Sequence, residues 1–95
     1  MRAFPDDVRA DAGFQLRRIQ QGHQPDDFKP FGTVGKGVEE LRVWGEEGAF
    51  RVIYLARLPE AGYVLHAFQK KTQATSKADV DLAARRYRAL MKDRP

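Results

Sequence analysis

An arginine stands inside the apolar run Phe50-Arg51-Val52-Ile53-Tyr54. A guanidinium is always charged and is rarely buried alone, so this one needs a carboxylate or another anion within reach. Glu40 would serve as the carboxylate of a structural ion pair. The functional alternative is a phosphate, whose oxygens match the forked donors of the guanidinium. Two further cations, Lys70 and Lys71, follow the alternating run from Tyr63 to Gln69. As neighbours in an extended chain they point to opposite sides. With an ordinary pKa of about 10.4 they are poor bases at neutral pH. They suit stabilisation of a pentavalent phosphorane, or protonation of a leaving group. Arg42 alternates with apolar neighbours in an earlier run and would join Arg51 on one face of a sheet, together with one or both lysines, if the strand register allows.

The remaining polar candidates carry less. His66 lies between Leu65 and Ala67 and reads as a satisfied core histidine, although its titration range suits acid–base work. His23 stands in a loop with no evident partner. Tyr54 and Tyr87 fit apolar patterns and read as core. Trp44, near a strand end, either stacks on a nucleobase or caps the core. The chain contains no cysteine, which excludes disulfides, thiolate chemistry and Cys-rich zinc sites. Two distant histidines make a metal site improbable, and no metal or other cofactor is expected.

These groups need elements to hold them. Phe4-Pro5-Asp6-Asp7 reads as a helix start, with two carboxylates at the positive end of the dipole. Val8, Ala12, Leu16 and Ile19 then mark one buried helix face, and Gly22 ends the helix, giving a span of about residues 5–21. Residues 22–37 hold two prolines and four glycines and read as a connector, anchored on the core by Phe28, Phe31 and Val34. Strands are expected at 38–44, 49–57 and 63–69. Short turns at 45–48 and 58–62 make them an antiparallel meander. Ser76-Lys-Ala-Asp79 is a shortened capping box that opens a second helix. Val80, Ala83, Ala84, Tyr87, Leu90 and Met91 form its apolar stripe.

The 95 residues correspond to one domain, residues 1–95. The net charge of +4 is unevenly spread: residues 1–65 carry 9 basic and 10 acidic side chains, residues 66–95 carry 8 and 3. Cations concentrated in the C-terminal third, among them Lys77, Arg85 and Arg86, suggest an anionic partner. No apolar run reaches membrane-spanning length and no secretory signal is visible, which points to a cytoplasmic protein.

Several segments in this order carry a family resemblance: Lys29-Pro30, Gly35-Lys-Gly-Val-Glu-Glu-Leu-Arg42, Phe50-Arg-Val-Ile-Tyr54, His66-Ala-Phe-Gln-Lys-Lys-Thr-Gln-Ala-Thr75, then Ala83 and Arg86. Together they resemble the phage-derived HigB-like toxins of the RelE/ParE superfamily. The resemblance implies a small α/β (α+β) toxin that cleaves mRNA, usually on the ribosome, without a metal, and that a cognate helix-turn-helix antitoxin silences. In that reaction the ribose 2′-hydroxyl attacks the adjacent phosphate. Carried over by motif, Arg51 with Lys70 or Lys71 handles the phosphate. Arg42 supports them, and Lys77, Arg85 and Arg86 extend the RNA contact. The family usually opens on a strand before its first helix, whereas this chain starts almost at the helix, so a helix, a three-stranded sheet and a helix are expected. The rival readings are a non-enzymatic RNA- or ribosome-binding module and a ParE-like gyrase poison.

Overall fold

Each strand alternates its side chains between two faces, and both faces of this sheet are partly apolar, so both need cover. One helix supplies each cover. The computed structural model describes residues 4–23, 27–46, 48–55, 63–69 and 75–92. In chain order the elements are α1 (Asp6–Gln20), β1 (Phe28–Pro30), β2 (Val38–Gly45), β3 (Gly48–Leu55), β4 (Tyr63–Gln69) and α2 (Lys77–Lys92). The four strands form one antiparallel sheet in the order β1-β2-β3-β4, giving the α+β class that the sequence predicts.

The sheet has one strand more than expected. Phe28–Pro30, inside the expected connector, pairs with Glu39–Leu41 of β2. Pro30 argues against a strand because it lacks a ladder donor, but an edge strand tolerates that. Among the described residues no strand precedes α1.

Helix α1 lies on one face. Phe4, Val8 and Ala12 pack with Leu41, Val43, Phe50, Val52 and Tyr54, and Leu16 and Ile19 flank them. Gly22, at φ +91°, closes the helix as expected. Its amide donates to Ile19 O and the His23 amide to Arg18 O, a Schellman arrangement that satisfies two end carbonyls.

Helix α2 lies on the opposite face, over one half of it. Ala83, flanked by Val80, Ala84, Tyr87, Leu90 and Met91, packs with Val34, Val38, Ile53, Leu55 and Leu65. Strict alternation places Leu65 on the α1 side. A bulge in the β3–β4 ladder, where Ile53 pairs with His66 but Tyr54 with Val64, brings it to the α2 side instead. Gly35 lets the connector approach this helix: a Cβ there would lie 2.5 Å from Cε1 of Tyr87. The Tyr87 hydroxyl donates to Lys36 O at 3.2 Å.

Candidate nucleic-acid interface

The ladder registers arrange the polar groups of the α2-side face into rows across the strands. Arg42 of β2 is directly opposite Arg51 of β3, and Arg51 opposite Phe68 of β4. Asp27, one residue before β1, extends that row, its carbonyl accepting the Arg42 amide at 2.9 Å. The next row runs Lys29, Glu40, Ile53, His66. Beyond Arg42, at the far end of β2, Trp44 faces Ala49. The register thus sets Arg42 opposite Arg51, the part of the expected convergence that the described residues cover.

Two like charges directly opposite each other repel. Carboxylates on either side offset this. Glu40, fully buried, is the diagonal neighbour of Arg51 and accepts a hydrogen bond from its Nη1. Glu40 also accepts from the Thr75 hydroxyl at 2.9 Å and has Lys29 Nζ at 3.8 Å. Asp27 lies 3.7 Å from Arg42 Nη1 and accepts from the Trp44 indole N–H at 3.1 Å. The ion-pair alternative for Arg51 is therefore realised, and the residue is only 3% exposed. The Nε atoms of Arg42 and Arg51 are buried with no hydrogen-bond partner among the described residues. A buried N–H without an acceptor is costly.

Lys70 and Lys71 lie outside the described residues, as do the turn at 58–62 and the last residues of the expected second strand. The segment holding the lysines is bracketed by Gln69, at the end of β4, and by Thr75, bonded to Glu40.

The other candidates separate by position. Lys77 and Arg85 are exposed on α2 and, with Arg88 and Lys92, fall on its outer side at helical spacing. Arg86 points back to the sheet, where its Nη1 donates to Leu65 O at 2.8 Å and satisfies a carbonyl at the bulge. His66 stacks on Phe68 at 4.9 Å, and its Nε2 lies 2.7 Å from Asp79 Oδ1. Asp79 also receives the Ser76 hydroxyl at 2.7 Å, and its amide donates to that oxygen at 3.1 Å, the N-cap half of the expected capping box. Burial pushes the Asp79 carboxyl up, but the Ser76 hydrogen bond and the bond and charge of His66 outweigh it and hold it below 3.8. Tyr54 is core, as expected: burial raises its phenol, and its bond to Glu39, 2.9 Å long, raises it further. Trp44 is 65% exposed and does not cap the core.

Sequence reasoning missed Asp27, which tethers both Arg42 and Trp44. The signal was the strand beside it, hidden by Pro30. No helix among the described residues is long and apolar enough to cross a membrane.

No curated protein matches the chain. One family model does, across residues 1–88, which contain the whole sheet, both arginines and most of α2. With that match the chain belongs to the phage derived protein Gp49-like family (DUF891), a family of RelE/HigB-like toxins.

Proposed function

We propose that the protein is the toxin of a toxin–antitoxin pair and a metal-independent endoribonuclease that cleaves mRNA, in association with the ribosome, in the cytoplasm. A cognate helix-turn-helix antitoxin silences it. The observation that carries this reading is the cross-strand pair Arg42 and Arg51, each with a buried donor that has no hydrogen-bond partner among the described residues. A phosphodiester fits such a pair by charge and by donor geometry. Arg42, with 31% of its side chain exposed, makes the outer contact, and Arg51 the inner one.

The chemistry follows from RNA itself. The 2′-hydroxyl loses its proton and attacks phosphorus, the bond to the 5′-oxygen breaks, and that oxygen takes up a proton. The products are a 2′,3′-cyclic phosphate and a free 5′-hydroxyl. The guanidinium groups stabilise the added charge on the pentavalent phosphorane. Lys70 and Lys71 are assigned to the same charge stabilisation and to protonation of the leaving oxygen. Lys77 and Arg85 are assigned to flanking backbone phosphates, which position without reading sequence. Arg86 is placed in the same RNA contact, although its Nη1 is engaged with Leu65 O.

The test is to express the chain, score growth, and map 5′ ends of mRNA after incubation with translating ribosomes. Growth arrest with new 5′-hydroxyl ends, both lost in a Lys70→Ala/Lys71→Ala variant that stays folded, is the expected result. Normal growth with soluble wild-type protein refutes the proposal. A second reading, RNA or ribosome binding without cleavage, is favoured by the engagement of Arg51 with Glu40. Arrest with intact mRNA would establish it. Arrest with DNA breaks instead of mRNA cleavage would point to a ParE-like gyrase poison.

A further inference from the structure

Trp44 is the one tryptophan of the chain, and at 65% exposed it is the most exposed large apolar side chain among the described residues. Exposing an indole forgoes the burial energy that usually places it inside. This indole is nonetheless held in place. Its single donor is engaged by Asp27, the same carboxylate that flanks Arg42 and whose backbone carbonyl takes the Arg42 amide. Arg42 and Trp44 lie two residues apart on β2 and so share a face of the sheet. The residue opposite Trp44 is Ala49, which has no side chain long enough to cover the ring.

We infer that Trp44 is the stacking platform for a nucleobase of single-stranded RNA, next to the nucleotide whose phosphate meets Arg42 and Arg51. The inference rests on the RNA reading proposed above and deepens it, by fixing where a base is held. An aromatic face beside a cationic track is the arrangement with which proteins hold single strands. Stacking is tolerant of base identity, because each base has a π-face, so Trp44 sets strand position rather than sequence. Asp27 is a positioning residue, orienting the ring and the guanidinium together so that base and phosphate engage at a fixed spacing.

A single tryptophan makes the test direct, because its emission has no other tryptophan source. The full-length protein is titrated with a 2′-O-methyl pentanucleotide, which lacks the attacking hydroxyl and cannot be cleaved by this route. Binding is followed both by anisotropy of a dye on the oligonucleotide and by Trp44 emission. The expected result is saturable quenching over the same concentration range as the anisotropy change. An oligonucleotide with an abasic site at the stacked position should bind more weakly and quench less. Trp44→Ala should weaken the intact pentanucleotide by roughly five- to a hundred-fold, Trp44→Phe by less, with unchanged circular dichroism. Asp27→Ala should reduce both the affinity and the maximal quench.

Anisotropy binding that is lost in Arg42→Ala, but unchanged in Trp44→Ala and silent in Trp44 emission, overturns the platform while leaving the RNA site standing. Absence of binding by any readout overturns the RNA reading and the platform with it. Undiminished RNA binding by Trp44→Ala, combined with lost binding to the antitoxin, overturns the platform in favour of a protein contact.

Discussion

Arg51→Met separates the two roles that Arg51 can play. The substitution leaves Glu40 fully buried without its main cation, with the Thr75 hydroxyl at 2.9 Å and the Lys29 ammonium at 3.8 Å as its remaining partners among the described residues. Removing one member of a buried pair costs about 3–5 kcal/mol, most of it from the stranded charge. Lys29 is half-exposed and, at 3.8 Å, beyond hydrogen-bond distance, so it recovers little. Small domains have about 5–15 kcal/mol in total, so the loss is a large fraction of the stability. At ~4–8 °C per kcal/mol for a chain of this size, Tm should fall by about 12–40 °C. The double variant Glu40→Leu/Arg51→Met removes both charges and fills the space with apolar atoms, and most of the loss should return. Urea denaturation followed by circular dichroism, on the wild type, both singles and the double, closes the cycle. A loss of less than about 1 kcal/mol in Arg51→Met, or no recovery in the double, refutes the buried-pair reasoning. The folded double variant then decides function. If it still arrests growth, Arg51 is structural alone; if it is folded but harmless, the guanidinium acts on RNA as well.

Tyr54→Phe should cost about 0.5–1.5 kcal/mol at neutral pH, for the lost bond to Glu39. Because the folded phenol titrates above its ordinary 10.0, its contribution is present below pH 10.0 and is lost as pH rises beyond it, so the gap between wild type and variant in urea should narrow there. For Asp79 the sign is opposite: its folded pKa lies below 3.8, so its contribution is present above 3.8 and is lost as pH falls through the folded value. Asp79→Asn should remove that part of the acid limb, and Ser76→Ala should cost about 0.5–2 kcal/mol through the cap, both measured by urea midpoints against pH. Gly35→Ala should destabilise by about 1–3 kcal/mol, because the added Cβ meets the Tyr87 ring at 2.5 Å, and a Tm unchanged within error would show that the connector yields.

The elements were legible where one periodicity dominated. Val8, Ala12, Leu16 and Ile19 identify the buried side of α1, and the stripe from Val80 to Met91 identifies that of α2. The faces of β2 and β3 follow from alternation, but that Arg42 stands opposite Arg51 depends on the register, which alternation leaves open. Two features stayed hidden for physical reasons. β1 is three residues long and contains a proline, so neither alternation nor propensity has enough positions to show it. The Leu65 bulge shifts one strand by one residue, and no residue type in β4 announces it. Burial was the other limit. Glu40 was named as a partner for Arg51 from charge alone, but that it would be the more deeply buried of the two depends on Lys29 and Thr75 arriving from distant segments.

The order of charges across the sheet bears on whether the pair is a site or a strut. A strut needs one cation between two anions, or one anion between two cations, with each donor used. Here Glu40 lies between Arg51 and Lys29, one anion between two cations, whereas Asp27 stands beside Arg42 alone, at 3.7 Å, so the less compensated cation is Arg42. Asp27 divides itself further, taking the indole of Trp44 as well as Arg42. That arrangement leaves on each arginine a buried Nε with no partner among the described residues. An anion that reaches the exposed part of Arg42 gains from its charge, whereas a cation gains nothing. On the RNA reading proposed above, a phosphate therefore meets Arg42, the exposed member of the pair, and Arg51 contributes its charge from behind.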